Sequence, residues 1–223
     1  VFVDDANTDN TGSVIKSLKK DFDKAGINLI TLSNPKRLYC SDSYKIAFEN
    51  ANGNYIGVLD SDDVLVPDAV SFIMDLYKKY NDIGWIYTQF EFCNRSLTSK
   101  GKGFCQLPLK DKSLLDMGLL GKHTYSHWRT FSRRVPNLFK IWKPGLKCAI
   151  DKYMGYRLEE LSYGMFVDRI CYRYREGVKH SISTLGQSKE VWKNIMKESS
   201  ERRQKKSIKP YPIVACDENF NSL

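Results

Sequence analysis

Three carboxylates within four residues, Asp60, Asp62 and Asp63, close the apolar run 55–59 in "YIGVLDSDDVLVPDAV". Acids this close raise one another's proton affinity unless a cation or hydrogen bonds hold them. Two readings fit. Asp and Ser favour turns and helix N-termini, where free amides and the macrodipole accept anions. The alternative is a divalent cation with oxygen ligands, at the carboxyl end of a buried parallel strand, where open α/β sheets place their ligands. A second acidic stretch opens the chain, "VFVDDANTDNT", again an apolar strand running into a polar turn. His180, one of three histidines, lies in "EGVKHSIS", a loop in which Gly177 and Ser181 favour exposure.

Hydrophobic periodicity predicts the elements that carry these residues. Residues 1–3 read as a strand, followed by a helix with apolar Val14, Ile15, Leu18 and Phe22. "INLITL" (27–32) reads as a second strand, and the next helix ends near Asn50 with Gly53 as its stop. The strand 55–59 leads through the acidic turn to a helix opened by Pro67, with Ala69, Phe72, Ile73, Leu76 and Tyr80 at helical spacing. "WIYTQFEF" (85–92) is a strand rich in aromatic and β-branched residues. Strands alternating with helices imply a largely parallel sheet covered on both faces. Beyond Phe92 come a loop or polar hairpin, a short helix near 111–120, and a strand in "HTYSHWRTFSRR". A helix in "DKYMGYRLEELSYG", a strand in "MFVDRICYRYRE", a Lys-rich helix from about Gln187 and a Pro-containing tail complete the chain. Opening directly on a strand, the sequence reads as a fragment that begins inside a fold.

Composition narrows the partners. The 223 residues, 42% hydrophobic and 13% aromatic, suit one substantial domain or one domain with an appendage. No apolar run approaches membrane-spanning length and no signal-peptide pattern is present, which reads as cytoplasmic. Six scattered cysteines without a CxxC pair favour reduced thiols over zinc or a disulfide frame. The net charge of +9 fits an anionic partner, and part of it sits in "SSERRQKKSIKP". With no RNA-recognition signature or helix-turn-helix pattern, nucleic acid is not expected as a partner.

The two acidic strand ends together resemble the nucleotide-binding half of family 2 glycosyltransferases with the GT-A fold. There the first loop reads roughly VDDxSxDxT and the DxD motif ends a strand. "HWRTFSRR", "AIDKYMGYRLEELSYGMFVDRICYRYRE" and "HSISTLG" resemble segments of the bacterial chondroitin and hyaluronan polymerases, so the likeness spans nearly all of residues 1–190. Ala6 and Asn7 depart mildly from the family loop, and no VSVIIPTYN-type unit precedes Val1. The resemblance implies a nucleotide-diphospho-sugar transferase fold, α/β with a mostly parallel central sheet flanked by helices, lacking its N-terminal strand–helix unit. Residues 1–92 would form the nucleotide-sugar half, 93–186 the acceptor half of the same domain, and 187–223 a basic C-terminal helix and tail.

What the resemblance implies chemically is transfer of a sugar, with inversion, from a UDP-sugar to a glycan or other hydroxyl acceptor. Mn2+ or Mg2+ bridging the diphosphate oxygens would neutralise the leaving group. Asp62, the last acid of the DxD, would touch the metal, and Asp60 the ribose and a metal-bound water. Asp63 would take either the metal or the helix N-terminus, the latter being favoured. Asp5 matches the acid that accepts the uracil N–H, with Asp4 its weaker neighbour, while Asp9 or Thr11 suits capping of the first helix. Arg37 and Lys45 lie where a pyrophosphate contact is open, though such residues are usually surface charges. Asp151 matches the catalytic base, in a motif reduced to one carboxylate by Ile150; a helix N-cap is the plainer alternative. His127, Trp128 and Arg129 would line the acceptor or nucleotide cleft, a strand Trp being as often core. His180 would complete the metal site, its imidazole favouring manganese. The basic tail suits an acidic partner or the inner membrane face, and a solvated, peripheral helix is the simpler expectation.

Rival readings fit less well. A haloacid-dehalogenase-type phosphatase shares the DxDx[TV] pattern in "LDSDDVLV", but here two β–α units come first and no GDxxxD follows. An EF-hand would need a central Gly and terminal Glu. A catalytically inactive nucleotide-sugar-binding module is the alternative from another class.

Overall fold

The computed structural model describes residues 1–177 and 188–217. The chain begins with β1 (Phe2–Asp4), α1 (Thr11–Lys24), β2 (Thr31–Ser33) and α2 (Tyr39–Asn50). Next come β3 (Tyr55–Val58), β4 (Val64–Leu65), α3 (Ala69–Lys79), β5 (Trp85–Cys93) and β6 (Ser99–Lys102). The second half holds α4 (Leu114–Leu119), β7 (Arg129–Ser132), a 3-10 turn (Leu138–Ile141), α5 (Ile150–Leu158), β8 (Gly164–Arg175), α6 (Ser188–Lys206) and β9 (Ile213–Cys216).

β1 and β2 form a parallel pair of their own. The main sheet runs β3-β7-β5-β8-β4, with β6 against β5 and β9 against β8. β5, β8 and β9 are mutually parallel, and β7 lies antiparallel between β3 and β5, so β3 shares their direction. The carboxyl ends of β3, β5 and β8 therefore point the same way, as the α/β reading requires. β5 is buried along nearly its whole length, which is why it reads as a continuous apolar run instead of an alternating one. α3 buries Ala69, Phe72, Ile73 and Leu76 of the periodic face seen in the sequence, with Tyr77 in place of Tyr80, which is the half-buried C-cap. α1 is helical as expected, yet none of its residues is buried.

Three expectations need correction. The second strand starts at Thr31 and not at Ile27, because the Ile27 N–H bonds Phe22 O (2.9 Å) and Gly26 adopts φ +68, extending the stop of α1. The Pro-containing tail is not loose: after Pro212, β9 adds a parallel strand to β8 and buries Ala215 and Cys216. Four residues behind two prolines and a charged helix give too short a signal for a strand.

The expectation of a peripheral C-terminal helix also falls. α6 packs on α4 and α5, with Ile195 and Ser199 buried. Arg203 Nη2 meets Glu159 Oε1 at 2.5 Å, and its Nε meets Glu160 Oε1 at 3.1 Å. Arg202 adds a 2.8 Å contact to Glu160, and Arg157 pairs with the same carboxylate. Glu159 also accepts the N–H groups of Leu114 (2.7 Å) and Leu115 (3.1 Å), holding the first turn of α4. Two arginines of the basic segment are thus engaged inside the protein, leaving mainly lysines on the solvent face. All six cysteines are free thiols. Among the described residues no helix is long and apolar enough to cross a membrane.

Candidate functional site

β3 delivers the acidic turn. It pairs with β7, and the Trp128 indole covers it at Gly57, where a Cβ would stand 2.7 Å from Trp128 Cζ2. The Asp63 N–H bonds Asp60 O (3.1 Å) and closes the turn. Asp60 Oδ1 accepts the Tyr44 hydroxyl, and Oδ2 lies 3.5 Å from Arg129 Nη2. The Asp60 N–H donates to the Tyr172 hydroxyl at 3.2 Å.

Asp63 does not serve the helix N-terminus. It is buried and accepts the Tyr172 hydroxyl and the Arg175 N–H, each at 2.7 Å. The pairing of β4 with β8 brings those partners over it. Burial lifts its carboxyl to about 6, against both hydrogen bonds. Asp62 is half-buried, and no other described residue donates a hydrogen bond to its carboxylate; burial and then Asp60 raise its proton affinity.

β7 and the residue before Trp128 supply the next wall. His127 and Arg129 are buried beside Asp60, while Trp128, 5% exposed, packs in the core cluster. That placement leaves Trp128 almost no ring surface for an acceptor. The His127 ring stacks on Tyr172 (centroids 4.5 Å apart, planes at 10°). Burial pushes its imidazole down to about 3, so it is neutral at physiological pH. Burial opposes the charge of Arg129, but Asp60 together with Tyr44, Tyr125 and Tyr172 outweighs it and holds the guanidinium protonated.

Carboxylate oxygens of Asp60 and Asp63 and a ring nitrogen of His127 lie within 4.8 Å of one another. His127 Nδ1 is buried without a hydrogen-bond partner among the described residues. A neutral imidazole beside carboxylates fits a divalent cation with mixed oxygen and nitrogen ligands. Asp62 stands outside that triad, on the same turn, and His180 lies outside the described residues.

Asp151 occupies the first turn of α5, whose N-cap is Ala149, so the capping alternative does not describe it. Lys152 Nζ lies 3.4 Å from its Oδ2. Burial would raise its proton affinity, but Lys152, Arg129 and His127 outweigh that and keep the carboxyl below its usual range. Asp60 of the acidic turn and Asp151 of α5 both act electrostatically on the buried His127, and Asp151 also feels Arg129.

At the other end, Asp5 ties the first loop to α2. Oδ1 accepts Asn34 Nδ2 (2.7 Å) and the Leu38 N–H (2.8 Å); Oδ2 accepts the Tyr39 N–H (2.8 Å). These are N-terminal amides of α2, so Asp5 caps a helix from outside it. Burial works against its charge, and these bonds, with one from the Ser43 hydroxyl, outweigh it and leave the carboxyl below its usual range. Asp4 Oδ1 accepts the Asn7 N–H (3.0 Å), and Asp9 Oδ1 the Thr11 N–H (2.9 Å), as expected at the start of α1. Arg37 is exposed with its guanidinium 5.6 Å from the Tyr39 ring centroid, and Lys45 pairs with Glu49 at 3.7 Å. Tyr44 and Tyr172 were not legible as site residues, since nothing local marks a tyrosine whose hydroxyl meets an acid.

Comparison with known proteins shows the family and the fold. The profile described as "Glycosyl transferase family 2" matches residues 1–157. A chondroitin synthase of Escherichia coli is 28% identical over 218 residues, covering 96% of this chain and 30% of that protein. A hyaluronan synthase of Pasteurella multocida is 29% identical over 200 residues, covering 89% of this chain and 20% of that protein. The chain therefore spans under a third of these relatives. Among solved structures, S. aureus TarS 1–349 in complex with UDP-GlcNAc superposes with a TM-score of 0.69 at 17% identity, over 89% of this chain and 55% of that one. The shared fold is GT-A.

Proposed function

The chain belongs to glycosyl transferase family 2, and on that premise we propose that it transfers a sugar from a UDP-sugar to a hydroxyl of a glycan, with a divalent cation and with inversion. The observation that carries this reading is the buried pair His127 and Arg129, which lies beside Asp60 and feels the charge of Asp151 as well. One acid sits on the turn after β3, the other on a helix of the second half, and in this reading the reacting sugar lies between them. The synthases among the relatives and the UDP-GlcNAc bound in the TarS structure support the donor class.

In this reading residues 1–92 bind the nucleotide and 93–186 the acceptor. Asp62, with its open carboxylate, and Asp60 would hold the cation, with His127 as the nearby nitrogen donor. A bound divalent cation supplies charge neutralisation for the departing diphosphate. Asp5 holds the first loop against α2 and would accept a ring N–H of the base, with Asp4 beside it and Arg37 at the rim. Asp151, kept ionised by its cationic neighbours, takes the proton of the acceptor hydroxyl as that oxygen attacks the anomeric carbon. One base and one displacement give inversion.

The test is turnover by the full-length protein across a panel of UDP-sugars and glycan acceptors, with manganese and with chelator. Product stereochemistry is read by NMR. Equal turnover in chelator would remove the cation, and a retained anomeric configuration would remove the single displacement. The phosphatase reading has no support from the family match.

A further inference from the structure

Arg129 is 3% exposed, and an arginine so deep ordinarily finds acceptors for all its donors, because an unmatched buried N–H costs free energy. Here Nε and Nη2 are buried and have no hydrogen-bond partner among the described residues. Asp60 does not supply the missing acceptor. Its Oδ2 is 3.5 Å from Nη2, near enough to attract the charge but outside hydrogen-bond geometry, and its Oδ1 already accepts the Tyr44 hydroxyl. The protein stabilises the cation without satisfying its fork. Two N–H groups on adjacent corners of a planar guanidinium match two oxygens of one phosphate. The fork lies inside the protein beside the acidic turn, within reach of Asp60.

We propose that Arg129 is the protein's direct contact to the donor diphosphate, with Nε and Nη2 holding oxygens of the group that departs. This rests on the sugar-nucleotide reading above and moves Arg129 from the acceptor side to the donor side. As the acceptor oxygen bonds the anomeric carbon, the bond from that carbon to the diphosphate oxygen breaks and its electron pair leaves with the diphosphate. The acceptor proton passes to Asp151. The negative charge gained by the diphosphate lies against a fixed, desolvated cation, where it counts for more than in water.

The experiment is calorimetric titration of the full chain, in manganese, with UDP and with uridine. Wild type should bind UDP more tightly than uridine. Arg129→Gln should weaken UDP by roughly tenfold or more while leaving uridine unchanged, since it removes one charge-assisted contact. Arg129→Lys keeps a charge facing Asp60 but not the fork, and should show a smaller loss of the same kind. Circular dichroism checks folding, and if the Gln variant does not fold, the Lys variant carries the test. An unchanged UDP-to-uridine ratio in the folded variant overturns the Arg129 contact alone. No preference for UDP in wild type overturns the sugar-nucleotide reading and Arg129's role with it.

Discussion

Arg203→Met strips α6 of its buried cation and leaves Glu159 charged inside the fold. Arg203 contacts Glu159 (2.5 Å), Glu160 (3.1 Å), Ser113 Oγ (3.2 Å) and Tyr156 O (3.0 Å). Glu159 is 0% exposed, and burial already raises its proton affinity against the pull of Arg203. Removing one partner of such a pair costs about 3–5 kcal/mol, most of it the uncompensated charge left behind. For a chain of this size that is a fall in Tm of roughly 6–20 °C. Urea unfolding followed by circular dichroism measures the loss. Glu159→Gln in the same background should recover part of it, so the double-mutant cycle should show a coupling of about 1–3 kcal/mol. The control is Lys19→Ala, which breaks an exposed i,i+4 pair with Asp23 and should cost under about 0.5 kcal/mol. An Arg203→Met loss as small as the control would mean that α6 is not docked through this pair.

Asp62→Asn should abolish the manganese dependence of UDP binding in calorimetry; a mutant that still binds tighter with manganese than with chelator would exclude Asp62 as a ligand. Asp151→Asn should retain UDP-sugar affinity but lose roughly 10²–10⁴ in transfer rate, and wild-type turnover would assign the base elsewhere. Gly57→Ala drives a methyl to 2.7 Å from the Trp128 ring and should destabilise by about 1–3 kcal/mol, which thermal melting would show. Glu160 is held below its usual range because Arg202, Arg203 and Arg157 outweigh its burial. Its contribution is therefore complete above the unfolded pKa of about 4.3 and is lost as pH falls through the lower folded value. Urea midpoints at pH 5, 4 and 3 should fall less steeply in Glu160→Gln than in wild type.

How legible the fold was depended on signal length. α3 and β5 follow from periodicity and composition, because each buries a long face or a whole strand. The two-residue β4 and four-residue β9 carry too few residues to stand out, although both fix partners around Asp63 and β8. Acid spacing was enough to find the turn at Asp60 but could not divide the labour within it. Asp62 and Asp63 are adjacent and chemically identical, and only β8 crossing above makes one of them a structural acceptor. The same limit applies to Asp5, whose cap partners lie more than thirty residues away in sequence, and to Arg202 and Arg203, which read as surface charge until Glu159 and Glu160 face them.

The unburied α1 bears on how the first part of the chain behaves in time. Its Val14 and Leu18 remain exposed among the described residues, and the β1–β2 pair hydrogen-bonds to no strand of the main sheet. Opening this unit exposes little apolar surface, so its amides should exchange with solvent through local opening, well ahead of those in β5. The Asp5 carboxylate is the tie that such opening must break. A ligand held by that loop would have to order it first, and part of its binding energy would appear as slowed amide exchange instead of as affinity.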